Sequence, residues 1–296
     1  MFTETETLID EPSVQMKSEF EQIRNQQKET WNKFSPGWRK WDDLTMEFLK
    51  PQGNEIIRLL QPKGSELILD IAAGTGEPGL TIATLAKEGK VIITDLSEGM
   101  LEIAQENAAK RGIVNIETKV CDACNLPFAD NTFDSISCRL GFMFFPDMQL
   151  AAKEMYRVLK PGGKIATTVW NAPAKNFWAT AALSVINKNM QIPAPPAGSP
   201  GLFRCSERGM ISGLLNSVGF SHVSESEVKV KLHTGTTEVY WNFMTDVVAP
   251  VVAALSKADD TMKAKIKSET LESMLQQYPE GAIAIDGSAL VIYGIK

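Results

Sequence analysis

From residue 66 to residue 170 the chain alternates short apolar runs with longer stretches of helical period. Glu66–Ile71, Lys90–Asp95, Ile116–Val120, Phe133–Cys138 and Lys164–Trp170 predict strands, and the stretches near 78–87, 98–111 and 147–159 predict the helices between them. Strands separated by helices predict a parallel sheet covered on both faces, because parallel neighbours need a crossover and the helix supplies it. Upstream, Phe20, Ile23, Trp31 and Phe34 share approximately one face of a first helix. Ser35-Pro36 reads as the cap and first position of a second helix, which carries Trp38, Trp41, Thr45 and Phe48 on one side and stops at Lys50-Pro51. Downstream the alternation loosens. A helix near 175–190, a proline-rich loop at 193–200 and a helix near 206–217 precede a strand His222–Leu232, a long helical region over 236–278 and a last strand Ala289–Ile295. The pattern predicts one α/β domain with helical additions before the first strand, after the fifth, and between the sixth and seventh.

Composition narrows the function classes. With 44% hydrophobic and 22% charged residues among 296, the chain can build a sizeable core, which excludes disorder throughout. A net charge of −6 without a basic run argues against a nucleic-acid partner. The longest apolar stretch, Val247–Leu255, is interrupted by Pro250 and falls short of the ~20 residues of a membrane span. The start is acidic where a secretory leader is basic, so a soluble cytoplasmic protein is expected. Cys121 and Cys124 have the spacing of a metal or redox pair. No second pair completes a tetrahedral zinc set, and the two follow a strand instead of opening a helix, so no metal is expected.

The chemistry concentrates where strands end. Asp70-Ile71-Ala72-Ala73-Gly74-Thr75-Gly76-Glu77-Pro78-Gly79 follows the first strand and opens a helix, and its glycines allow backbone N–H groups to approach a ligand closely. Gly74-x-Gly76-x-x-Gly79 also fits a dinucleotide fingerprint, so an NAD(P)-dependent oxidoreductase is the alternative reading on the same fold. Asp70, Asp95 and Asp122 all fall at the C-terminal edge of a parallel sheet, where ligands bind. Asp95 suits ribose hydroxyls in either reading. A charge at Asp70 would repel a pyrophosphate and suit an ammonium or sulfonium group.

Leu69–Gly79, Thr94–Leu101, Leu126-Pro127-Phe128 through Phe133-Asp134, and Leu159-Lys160-Pro161-Gly162-Gly163 together resemble the successive motifs of class I S-adenosylmethionine-dependent methyltransferases. The pattern is similar to the methyltransferase type 11 group, which includes the ubiquinone/menaquinone biosynthesis methyltransferases, over about residues 65–170. The resemblance implies a Rossmann-like, seven-stranded, mostly parallel sheet with helices on both faces, an antiparallel last strand and helical lid additions. An N-terminal lid over residues 1–60 would precede a methyltransferase domain over 61–296, with lid insertions near 171–205 and 234–281. It implies S-adenosylmethionine as cofactor, its methionine part held around Ala72, Gly74 and Gly76 with Asp70 near the ammonium and Arg139 beside it. Asp95 would hold the ribose, Leu96 and Met100 would sandwich the adenine, and Asp122 and the Ala123 amide would meet its edge.

No Asn/Asp-Pro-Pro-Tyr/Phe follows the fourth strand, where Cys138-Arg139-Leu140-Gly141 stands, so a small, partly apolar acceptor with an O, N, S or C nucleophile is expected. Trp31, Trp38, Trp41, Phe142, Trp170 and Phe177 are the candidate acceptor-binding residues, as an aromatic wall. A module of this fold that binds without catalysing is the other alternative. The catalytic residue is unknown: of the two histidines, His222 begins the sixth strand on the wrong edge, and His233, the one candidate base, ends it at the right edge, although the resemblance places that strand at the sheet's border.

Overall fold

The computed structural model describes residues 14–296 except 194, 195 and 197, and side chains from residue 18 onward. Two helices come first, α1 (Val14–Lys40) and α2 (Asp42–Leu60). The break between them is at Trp41, not at Ser35-Pro36, and Pro51 does not stop α2. Pro36 has no N–H for the carbonyl of Asn32, but the Ser35 hydroxyl donates to that carbonyl at 3.0 Å and fills the gap in the ladder. Ser35 therefore repairs a helix that it was expected to begin.

The alternating region follows as β1 (Leu67–Ile71), α3 (Gly79–Leu85), β2 (Lys90–Asp95), α4 (Glu98–Lys110), β3 (Ile116–Val120), β4 (Phe133–Arg139), α5 (Met148–Val158) and β5 (Leu159–Trp170). Then come α6 (Phe177–Met190), α7 (Met210–Ser217), β6 (Ser221–Gly235), three helices α8 (Thr237–Val247), α9 (Ala249–Leu255) and α10 (Asp260–Gln277), and β7 (Ile283–Ile295). The single helical region expected over 236–278 is broken at Val248 and again before Asp260, whose predecessor Asp259 caps α10 by accepting from the Met262 N–H.

The seven strands form one sheet in the order β3-β2-β1-β4-β5-β7-β6. The first five are parallel, and β7 runs antiparallel between β5 and β6. Inward residues alternate between two cores, as a period of two requires: Ile68, Val91 and Ile93 belong to one, Leu69, Ile71 and Ile92 to the other. A second mononucleotide-binding half would need further parallel strands where β7 lies. The chain steps from β1 outward to β3 and then back across to β4, so the crevice beyond the ends of β1 and β4 is the switch point where such sheets bind ligands.

Helix α2 straddles that crevice. Phe48 and Leu49 join the core on one face of the sheet, while Ile56 and Leu60 are buried in the core on the other. The last two turns of the segment expected as a lid thus pack on the sheet itself. Among the described residues no helix is long and apolar enough to cross a membrane.

Candidate active site

Beyond β1 and β4 two non-glycine residues take left-handed backbone, Ala72 at φ 53° and Leu140 at φ 61°, and both line one cavity. Each costs about 1–2 kcal/mol and persists only where the surroundings over-determine it. Gly141 lets the two loops touch, since a Cβ there would stand 2.9 Å from that of Ala72 and 2.6 Å from the Cys138 sulfur.

The glycine turn divides by role. Gly74, at φ 56°, lines the cavity and has nothing within 4 Å of where a Cβ would be, so it forms an open cradle. Gly76 does not reach the cavity: at φ 110° its missing Cβ would meet Leu80 at 2.8 Å and Ala104 at 3.2 Å, so it lets α3 and α4 close on the turn. Asp70 also departs from expectation. It is fully buried off the cavity wall, accepting from the Gly79 N–H at 2.8 Å and the Ser137 hydroxyl at 2.6 Å. Burial pushes its carboxyl up to about 7, against the lowering effects of Ser137, Gly79 and the Arg139 charge. Its place is to tie the helix behind the turn to the sheet, not to face a ligand's ammonium.

Asp95 ends β2 and is 9% exposed, on the cavity wall. One carboxylate oxygen accepts from the Gly74 N–H and the other from the Ser97 N–H, both at 2.9 Å, which joins the first two strand-end loops. Burial raises its pKa, opposed by those backbone donors. Ser97 caps α4 through the Met100 N–H, and Asn32 of α1 accepts from the Ser97 hydroxyl at 2.6 Å, so α1 closes over this end. Leu96, Met100, Asp122 and Ala123 complete the wall, with Gln27 of α1, which the sequence did not single out. Cys121 also lines it; burial pushes the thiol up to about 11, and both Cys121 and Cys124 are free.

Arg139 lines the same cavity at 9% exposure, and among the described residues no ion pair includes it. Among the described residues its one side-chain hydrogen bond is from Nη2 to the Met46 sulfur at 3.5 Å, while the more distant charges of Glu77, Asp70 and Asp42 oppose the lowering of its pKa by burial.

The far end of the cavity is apolar. Trp31, Trp38 and Trp170 line it as expected residues of the aromatic wall, joined by Phe48, Phe144, Trp178 and Phe243. Trp31 meets Phe144 edge-on at 5.0 Å, and Phe48 stacks on Trp170 at 5.6 Å. Trp41, Phe142 and Phe177 are not on the wall. Trp41 instead donates to Asp246 at 2.8 Å, Phe142 is fully buried in the core, and Phe177 packs against that core from α6. Phe243, Val247, Val248 and Pro250 of the α8–α9 turn, with Leu202, close the chamber. His233 is exposed on the edge strand β6 and His222 is exposed at its start, so neither reaches the cavity.

Residues 39–188 match the ubiE/COQ5 methyltransferase family, about half of the chain. The chain belongs to that family. A ubiquinone/menaquinone biosynthesis C-methyltransferase UbiE of Cellvibrio japonicus is 42% identical over 116 residues, 38% of this chain and 47% of that protein. The UbiE of Cronobacter sakazakii is 30% identical over 182 residues, 57% of this chain and 72% of the other. Beyond such longer matches, the chain spans about half the length of the curated relatives it matches. Among solved structures, YcgJ of Bacillus subtilis superposes with a TM-score of 0.56 at 20% identity, covering 82% of this chain and 97% of that one. The cyclase SpnF has a TM-score of 0.52 at 20% identity, covering 83% and 79%. These two share the fold. The family match stops at residue 188, so the wall from Leu202, Phe243 and the α8–α9 turn lies outside it.

Proposed function

We propose that this member of the family is an S-adenosylmethionine-dependent methyltransferase acting on a small, largely apolar acceptor. The observation that carries the reading is one cavity with two unlike ends: Gly74, Asp95, Asp122 and Arg139 at one, and an aromatic chamber at the other. The residues fit the cofactor, because Gly74 leaves an open cradle and Arg139 is a buried cation without a carboxylate partner. In this reading Arg139 pairs with the methionine carboxylate, Asp95 accepts from the ribose hydroxyls with its remaining lone pairs, and Leu96 and Met100 flank the adenine. Asp122 and the Ala123 amide meet the adenine edge.

When bound, the cofactor supplies an electrophilic methyl on a positively charged sulfur. The chain's own contribution is to hold the acceptor in line and exclude water, which accounts for roughly 7–11 kcal/mol of barrier reduction where reacting atoms are well aligned. Helix α1 and the α8–α9 turn do the excluding. The relatives' name points to a carbon acceptor, yet much of the chamber is built from residues beyond the family match, so the acceptor of those relatives is not carried over to this chain.

Thermal titration with S-adenosylhomocysteine tests the reading, with a stabilisation of about 2.7 kcal/mol expected at a hundredfold excess over Kd. Release of S-adenosylhomocysteine across phenols, quinols, amines and thiols then identifies the acceptor. Stabilisation by a nicotinamide nucleotide, with none from either sulfur compound, overturns it.

A further inference from the structure

Among the described residues Gln27 is the one amide side chain on the cavity wall, and it comes from α1. It is half-buried, and its amide makes no hydrogen bond among those residues.

Contacts on either side fix where it stands. Arg24, about one helical turn earlier, brings Nη1 within 3.9 Å of one carboxylate oxygen of Asp122, whose other oxygen accepts from the Cys124 N–H at 2.9 Å. Asn32, further along α1, accepts from the Ser97 hydroxyl at 2.6 Å and the Gly99 N–H at 3.2 Å, and Lys28 donates to Glu98 at 3.1 Å. Gly99 permits this close approach, since a Cβ there would stand 2.6 Å from the Ser35 hydroxyl oxygen. Between Arg24 and Asn32 the helix advances about 12 Å, and Gln27 lies within that span, about 4.5 Å beyond Arg24. Arg24, Gln27 and Trp31 share one face, as residues three and four apart do, and Gln27 and Trp31 both line the cavity. The glutamine is thus held over the slot that has Asp122 on one side and Leu96 and Met100, which flank the Ser97–Gly99 anchor, on the other.

A primary amide carries an acceptor and a donor side by side. That pair complements the amino group of adenine and the N7 beside it, a match by which glutamine reads this base. In the methyltransferase reading Asp122 and the Ala123 amide take one amino hydrogen and the opposite edge of the ring. The second amino hydrogen and N7 are left for a residue of this kind.

We infer that Gln27 determines base specificity at the cofactor end, its Oε1 accepting from the adenine amino group and its Nε2 donating to N7. The inference rests on the methyltransferase reading and adds to it a residue that lies before the family match begins. Two parts of the chain then read the base, the loop after β3 on one edge and the covering helix on the other.

The test compares S-adenosylhomocysteine with its 7-deaza analogue, in which a C–H replaces N7, by calorimetry. Native protein is expected to bind the adenine compound about 5- to 10-fold more tightly, the worth of one hydrogen bond. Gln27→Leu removes both bonds at similar side-chain size, so S-adenosylhomocysteine is expected to weaken more than the analogue, leaving the two within about twofold. Gln27→Glu keeps the acceptor for the amino group but sets a carboxylate oxygen against N7, so it is expected to prefer the analogue. The unliganded melting midpoint of Gln27→Leu is expected to match the native one, because the amide holds no described protein group. Equal affinities in the native protein, a preference that survives Gln27→Leu, equal losses of both compounds, a Gln27→Glu variant that keeps the native order, or a lowered midpoint for Gln27→Leu each overturns the inference. A native protein that binds neither compound instead defeats the cofactor reading beneath it.

Discussion

Asp95→Ala separates the bridge that this carboxylate forms in the structure from the ribose contact proposed for it. Each oxygen accepts one backbone N–H, from Gly74 or Ser97 at 2.9 Å, and retains a further lone pair. Asp95 lines the cavity, and in the proposed reading those lone pairs accept from the ribose hydroxyls. Hydrogen bonds to a charged group are worth about 1.5–3 kcal/mol, so affinity for S-adenosylhomocysteine is expected to fall roughly 10- to 150-fold. Stability falls as well. The Gly74 N–H can turn to water in the open cavity, but Ser97 is fully buried, and one buried donor without an acceptor costs about 1–3 kcal/mol. Asp95→Asn is no conservative control, because its amide nitrogen must face one of the two backbone donors. The assay is calorimetric titration at a temperature well below the variant's midpoint, paired with melting in the absence of ligand. Binding by folded Asp95→Ala within about threefold of native would refute the ribose assignment, and an unchanged midpoint would refute the bridging role.

Two further outcomes test the scaffold. Burial raises Asp70 from 3.8 to about 7, so between those values the folded state binds a proton that the unfolded state has released, and stability falls as pH rises through that window by up to about 4 kcal/mol. Asp70→Asn keeps the Gly79 contact and, with the Ser137 hydroxyl turned, that one too; its urea midpoint is expected to fall less steeply from pH 4 to 7, and profiles parallel to native would contradict the neutral, buried carboxyl. Gly37→Ala places a Cβ 2.1 Å from the Asp246 carbonyl oxygen, so α1 must move off α8 at a cost of about 1–3 kcal/mol, more than the ~1 kcal/mol that alanine gains in a helix. A raised melting midpoint would show that the two helices do not meet there.

The five parallel strands, their helices and the glycine turn were legible from the chain alone, because each is set by local periodicity and turn chemistry. The strand-end positions of Asp95 and Asp122 followed from the same register, whereas Leu96, Met100 and Ala123 were expected only from the family resemblance; all five line the cavity. What a side chain faces is decided elsewhere. Asp70 and Gly76 belong to the same turn as Gly74, yet contacts with Ser137 on β4 and with Leu80 and Ala104 take them off the cavity. Ser35-Pro36 carries a helix-start signal that the serine's own side chain cancels once the helix runs on. Trp38 and Trp41 share one stripe in the sequence. Asp246, 205 residues further along, draws the Trp41 indole away, while Trp38 stays on the chamber wall. Phe243 and Val247 enter the site for the same reason: a period of 3.6 marks which residues of a helix are buried, and only the packing of distant elements determines against what.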